Sequence, residues 1–129
     1  TMVHEYLEFF DFKNPCIEKI ENKEVQEIMK RLLRCSIFHN IDKAKVYQEY
    51  EFSEAEENQE LHGIIDLMLV YEDHIDIIDY KLSNIYDDDY DKQLNGYYKY
   101  IQKKTDKKIH LYLYSLISGE YREVEKGVF

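Results

Sequence analysis

The sequence is poor in most of the residues that mark a special environment. It has no tryptophan, one proline, four glycines and two cysteines in 129 residues. Neither Cys16 nor Cys35 belongs to a Cys-x-x-Cys or Cys/His spacing, so the pattern argues against a zinc or iron–sulfur centre and for two free thiols in a reducing compartment. No apolar run approaches the roughly 20 residues of a membrane span, and no basic stretch followed by an apolar one opens the chain. The expectation is a soluble, cytoplasmic protein without a membrane partner. Internal repeats and low-complexity linkers are also missing. Positive charge is scarce: 17 basic residues against 27 acidic ones leave a net charge of −10. Taken alone, this argues against nucleic acid, which attracts basic surfaces. What the chain does have is apolar content, 44% overall with 15% aromatic, as in a folded globular protein. The length suits one domain, residues 1–129, with a real core.

Periodicity supplies the elements. Val3, Tyr6, Leu7 and Phe10 form the i, i+3, i+4, i+7 stripe of a short first helix, with His4 beside it. Asn14-Pro15 reads as a turn. Val25, Ile28, Met29, Leu32 and Leu33 repeat the stripe from Glu24 to Arg34, and Lys30, Arg31 and Arg34 suit the C-terminal end of that helix. Lys45–Phe52 reads as a strand containing Glu49, and Ser53–Glu60 as an acidic loop or hairpin connection. Leu61–Val70 and His74–Lys81 read as two antiparallel strands joined by Tyr71-Glu72-Asp73. The first is apolar on both its odd and even positions, as a central strand covered on both sides should be. A helix is expected from Asp89 to Lys104, with Gln93 and Tyr97 on one face. Gly96 in its middle suggests a close backbone approach. Strands at Lys108–Leu116 and Glu120–Val124, the last at an edge, complete an α/β layered fold around a mixed sheet.

Three residues in the central hairpin need an explanation. Asp66 and Asp79 are acids near the ends of apolar strands, and Lys81 shares a face with Asp79. A carboxylate on a buried sheet face is costly without compensation, and two converging carboxylates repel each other. A hard divalent cation such as magnesium answers both difficulties, because it takes carboxylate and carbonyl oxygens and keeps water on its open positions. Such an ion lowers the pKa of that water. Lys81 could then stabilise charge developing on a phosphate. The grouping suits metal-assisted phosphodiester hydrolysis. The simpler alternative is a lone strand-end carboxylate at Asp66 and an ordinary i, i+2 ion pair between Asp79 and Lys81.

The motifs Gly63-Ile64-Ile65-Asp66, Asp79-Tyr80-Lys81 and Gln93-Leu94-Asn95-Gly96-Tyr97 resemble the GxxD, DYK and QxxxY motifs of the RecB-like branch of PD-(D/E)xK nucleases. They stand in that family's order. Val3-His4-Glu5-Tyr6-Leu7-Glu8, followed by Asp11-Phe12-Lys13-Asn14-Pro15, is similar to the helix that opens the C-terminal nuclease domain of AddA-type helicase–nucleases. The resemblance implies a restriction-endonuclease-like core, a central mixed β-sheet flanked by helices. It implies a magnesium-dependent deoxyribonuclease, acting as an exonuclease, with manganese as a possible substitute. The chain would be the C-terminal piece of a larger ATP-dependent DNA helicase that processes double-strand breaks for recombinational repair. Its partners would be a single DNA strand delivered by the motor and a second nuclease subunit. By resemblance, His4, Asp66, Asp79 and the Tyr80 carbonyl would hold the metal, and Lys81 would be the catalytic lysine. Gln93 and Tyr97 would support the site and the strand, and Glu49 would match an acid of the family's first strand. His62 is the competing histidine, with a structural role expected. Two positions depart from the pattern: the glycine that precedes the family's histidine would lie before the chain begins, and Leu82 stands where a small polar residue is common. Local basic clusters at Lys99, Lys103, Lys104, Lys107 and Lys108, and at Lys30, Arg31 and Arg34, offer DNA contacts or merely solvated helix faces. The alternatives to a helicase-linked nuclease are a non-catalytic nuclease-like module for assembly or DNA guidance and a stand-alone nuclease of the same fold.

Overall fold

A computed structural model of the protein describes residues 2–127. Helix α1 spans Met2–Phe9 and α2 Lys23–Arg34; β1 spans Lys45–Glu56, β2 Gln59–Val70, β3 His74–Lys81, α3 Asp88–Ile101, β4 Lys108–Ser115 and β5 Tyr121–Val124. Short 3-10 turns link α1 to α2 and α2 to β1. The five strands form one sheet in the order β1-β2-β3-β4-β5. All neighbours are antiparallel except β3 and β4, which are parallel and joined through α3. The architecture is therefore α/β, a mixed five-stranded sheet with helices on its faces. Among the described residues no helix is long and apolar enough to cross a membrane.

Two apolar layers hold the sheet. On one side α1 and α2 bury Val3, Leu7, Val25, Met29 and Leu32 against Leu67, Leu69, Ile78 and Tyr80. The stripe read in the sequence is the packed face, although Leu33 is only half-buried. Asn22 caps α2, its side chain accepting from the Val25 amide at 3.1 Å. On the other side α3 packs Leu94, Tyr97, Tyr100 and Ile101 against Ile65, Met68, Ile75, Ile77, Leu111 and Leu113. Asp87 caps α3 through the Asp89 amide at 2.8 Å.

Two expectations shift at their boundaries and one fails. Ser53–Glu60, expected as a loop or hairpin connection, is the end of a hairpin: β1 and β2 continue as a ladder through Ser53↔His62, Glu54↔Leu61, Ala55↔Glu60 and Glu56↔Gln59. The backbone pairs there although the side chains are mostly exposed, so no apolar alternation marks the strands. Helix α3 ends at Ile101 rather than Lys104, because Lys103 and Lys104 donate to Tyr100 and Ile101 in a tighter final turn. Gly96 marks no close approach, for a Cβ built on it meets nothing within 4 Å. Gly63 is the tight one. A Cβ there would lie 2.7 Å from the Phe52 ring and 3.0 Å from the Tyr97 ring.

These two glycines generate opposite outcomes. Gly96→Ala should raise stability by about 0.5–1 kcal/mol through helix propensity alone. Gly63→Ala should lower it by about 1–3 kcal/mol, because Phe52 and Tyr97 must move to admit the methyl group. Urea denaturation of the two variants measures both; a stabilised Gly63→Ala protein would contradict the packing.

Candidate active site

The site begins where the sheet breaks its own rule. Side chains on a strand alternate faces with period 2. In β1, Val46 packs in the α1–α2 layer and Gln48 donates to the Leu7 and Phe10 carbonyls, both at 2.8 Å. Yet Tyr50 and Phe52 pack on the α3 side, which alternation from Gln48 forbids. In β2, Leu67 and Leu69 face α1–α2 while Ile65 faces α3. Each strand thus switches face within one residue, at Glu49 and at Asp66. The register Gln48↔Leu67 and Tyr50↔Ile65 puts those two residues opposite each other. Because both strands switch together, the pairing continues unshifted on either side. Glu49 absorbs the switch with φ +49°, a left-handed conformation that is strained for a non-glycine residue and typical of functional sites.

The second break lies between β2 and β3. Their ladder runs from Val70↔Ile75 to Leu67↔Ile78 and stops. The next facing residues would be Asp66 and Asp79. Tyr80, beyond the ladder, finds side-chain partners instead. Its amide donates to Asp66 Oδ2 at 2.9 Å, and its carbonyl meets His4 Nε2 at 3.1 Å. Asp79 is 3% exposed, and its Oδ2 lies 2.8 Å from Lys81 Nζ. That lysine donates to Gln93 Oε1 at 3.1 Å and sits 4.2 Å from the centre of the Tyr90 ring. Gln93 also hydrogen-bonds the Tyr97 hydroxyl.

The electrostatics follow from crowding carboxyls in a half-dry gap. Burial first, and then the charge of Asp79, push the Asp66 carboxyl up to about 8, and a side-chain hydrogen bond with Asp79 acts in the same direction. Burial, with a hydrogen bond shared with Glu8 that favours the protonated form, pushes Glu49 up to about 7. Burial and both aspartates raise Tyr97 well above its ordinary value. A cavity of about 10 Å³, lined by His4, Glu8, Glu49, Asp66 and Tyr80, opens between these groups. That is space for one water-sized sphere.

The structure therefore brings together Asp66, Asp79, Lys81, His4, the Tyr80 carbonyl, Gln93 and Tyr97. Glu49 joins them rather than facing solvent. His62 does not; it is exposed, with Glu51 at 3.9 Å. The residues missed in the sequence are Glu8, which follows His4 by one helical turn, and Tyr90, which precedes Gln93 by three positions. Both are on the same helix face as a recognised residue, so i+4 and i+3 spacing was the available signal. Three of these basic residues make structural contacts: Arg31 binds the Leu116 and Ile117 carbonyls, Lys103 pairs with Glu54 and Lys107 donates to the Tyr71 carbonyl. No protein-family model matches the chain, and no curated protein matches it.

Among the described residues no group of three His, Cys, Asp or Glu side chains already surrounds one point. The donor set nonetheless fits a hard divalent cation: two facing carboxylates, one of them held protonated by the other, beside a backbone carbonyl that has left its ladder.

These raised values set a pH dependence. Folding raises Asp66 from 3.8 to about 8 and Glu49 from 4.5 to about 7. The folded state thus holds these protons more tightly than the unfolded chain. Their contribution to stability is full below the ordinary carboxyl values and is lost progressively as pH rises from about 4 to about 8. Urea midpoints measured without divalent ions should fall across that range, and Asp66→Asn should flatten the fall. Parallel curves for the two proteins would contradict the coupling.

Proposed function

We propose that the protein is a magnesium-dependent deoxyribonuclease domain with a restriction-endonuclease-like core. The reading rests on one observation: the β2–β3 ladder stops one pair short of Asp66 and Asp79, leaving two carboxyls facing each other beside a lysine that is already oriented. An ordinary strand-end acid has no such partner. The resemblance of the GxxD, DYK and QxxxY segments to RecB-like nucleases supports the same reading.

Asp66, Asp79 and the Tyr80 carbonyl would hold the ion, with His4 completing the set once it releases that carbonyl. A bound divalent cation supplies positive charge at the scissile phosphate and lowers the pKa of water. The protein's own residues do the rest. Lys81, fixed by Asp79, Gln93 and the Tyr90 ring, places a cation where charge develops on the phosphate, with little reorganisation left to do. Gln93 hydrogen-bonds both Lys81 and Tyr97, so the helix α3 face and the strand β3 end move as one unit. The half-buried gap keeps these interactions in a low dielectric, where they are strongest.

The acidic net charge fits a domain that receives its strand rather than capturing it. In this reading a helicase motor in the same parent chain delivers single-stranded DNA, and the whole assembly processes double-strand breaks in the cytoplasm together with a partner nuclease subunit.

Lys81→Ala and Asp79→Ala should each reduce Mg²⁺-dependent cleavage of single-stranded DNA by about 100-fold or more, with circular dichroism unchanged. Full activity in Lys81→Ala would sink the mechanism. Independently of activity, Mg²⁺ or Mn²⁺ at about 100 times its Kd should stabilise the wild type by about 2.7 kcal/mol and leave Asp79→Ala unshifted.

A further inference from the structure

At the other end of strand β3 lies a second polar cluster that the nuclease reading does not use. His74 and Asp76 are two apart on β3. Asp76 stands opposite His110 on β4, and Tyr112 of β4 stands opposite Glu123 of β5. Period 2 and the two registers put His74, Asp76, His110 and Glu123 on the same sheet face, the α1–α2 side. His74, Asp76 and Glu123 border a cavity of about 310 Å³, lined also by Tyr71 and by Ser36 and Asn40 from the turns after α2.

The proton arrangement in this cluster is unusual. His74 Nδ1 lies 2.6 Å from Asp73 Oδ1, so that nitrogen carries the proton and donates it. The ring is held in place by stacking on Tyr71, 4.4 Å between centres and 11° between planes. Its Nε2 faces Asp76 Oδ1 at 3.7 Å. That oxygen is fully buried and has no hydrogen-bond partner, and the Asp76 side chain is 9% exposed. The two atoms thus face each other across a distance too long for a hydrogen bond. It is close to the roughly 3.4 Å separating two donors of one tetrahedral ion bonded at about 2.0–2.2 Å. A carboxylate behind the far nitrogen of an imidazole is also the arrangement that orients metal-binding histidines. His110 lies beside this pair, its ring 5.7 Å from that of His74, with Nδ1 now 3.1 Å from Glu123 Oε2.

We propose that His74 and Asp76, joined by His110 or Glu123, form a binding site for a divalent transition-metal ion of the zinc class, separate from the Asp66–Asp79 gap. Imidazole with carboxylate is a donor set for Zn²⁺ rather than for Mg²⁺. The scarcity of patterned cysteines argues against a thiolate site and does not bear on this one. His110 or Glu123 completes the site by turning from its present partner, and the cavity leaves room for water at the remaining position.

The test uses the full chain stripped of metal, in an Asp79→Asn background that disables the other site. Zn²⁺ titrated by calorimetry should bind with a stoichiometry near one and raise Tm, whereas Mg²⁺ should do neither. His74→Ala should abolish the binding. Asp73→Asn, at an exposed position, should weaken it by about 10–100-fold. If His74→Ala fails to fold, Asp73→Asn decides. Absence of zinc binding in the Asp79→Asn background, or binding undiminished by the variants, overturns the site and leaves the nuclease reading untouched. Zinc binding intact in a wild-type protein that shows no Mg²⁺-dependent cleavage does the reverse.

Discussion

The structure is arranged around the mutual repulsion of Asp66 and Asp79. Two carboxyls forced together in a gap with little water cannot both ionise without a cation between or beside them. Lys81 offsets the charge of Asp79, and a raised proton affinity offsets that of Asp66. Everything nearby serves to keep the pair in place. The Tyr80 amide holds one oxygen of Asp66, Gln93 and Tyr90 hold Lys81, and the Glu49 backbone accepts a strained conformation that lets β1 change face beside them. A chain selected for stability alone would close the β2–β3 ladder and fill the gap with apolar residues.

The sheet supplies the rigidity that such an arrangement demands. The β2–β3 ladder stops at Leu67 and Ile78, while Ile65 and Tyr80 beyond it stay packed in the two apolar layers. The face switch in β1 and β2 falls at that level too. The left-handed backbone of Glu49, the end of the ladder and the raised Asp66 and Glu49 carboxyls therefore meet in one place. Fully buried leucines and isoleucines directly beneath it provide the compensating packing.

The acidic surface is reinterpreted by the same geometry. Much of the basic residue complement ties the fold together through main-chain carbonyls. Lys13 binds those of Ile41, Asp42 and Ala44, and Arg31 those of Leu116 and Ile117. Among the basic residues singled out in the sequence, Arg31 and Lys107 are held by main-chain carbonyls. The one lysine aimed into the gap is Lys81.

Local periodicity was enough to place both long helices, the central hairpin, the same-face relation of Asp79 and Lys81, and the edge position of the last strand. Those properties depend on side chains a few residues apart, and such spacing is written in the chain. Motif order also singled out Asp66, Asp79, Lys81, His4, Gln93 and Tyr97. What the sequence could not contain was how β2 meets its neighbours. Its odd positions read as one continuous apolar face, whereas Leu61 and Ile65 lie on one side of the sheet and Leu67 and Leu69 on the other. The exposed half of the β1–β2 hairpin read only as a loop or hairpin connection, because backbone pairing in solvent leaves no apolar alternation. The face switch at Glu49 and its contact with Glu8 were equally invisible. Each is set by strand register and by where a ladder stops, and those are long-range outcomes of packing two layers on one twisted sheet.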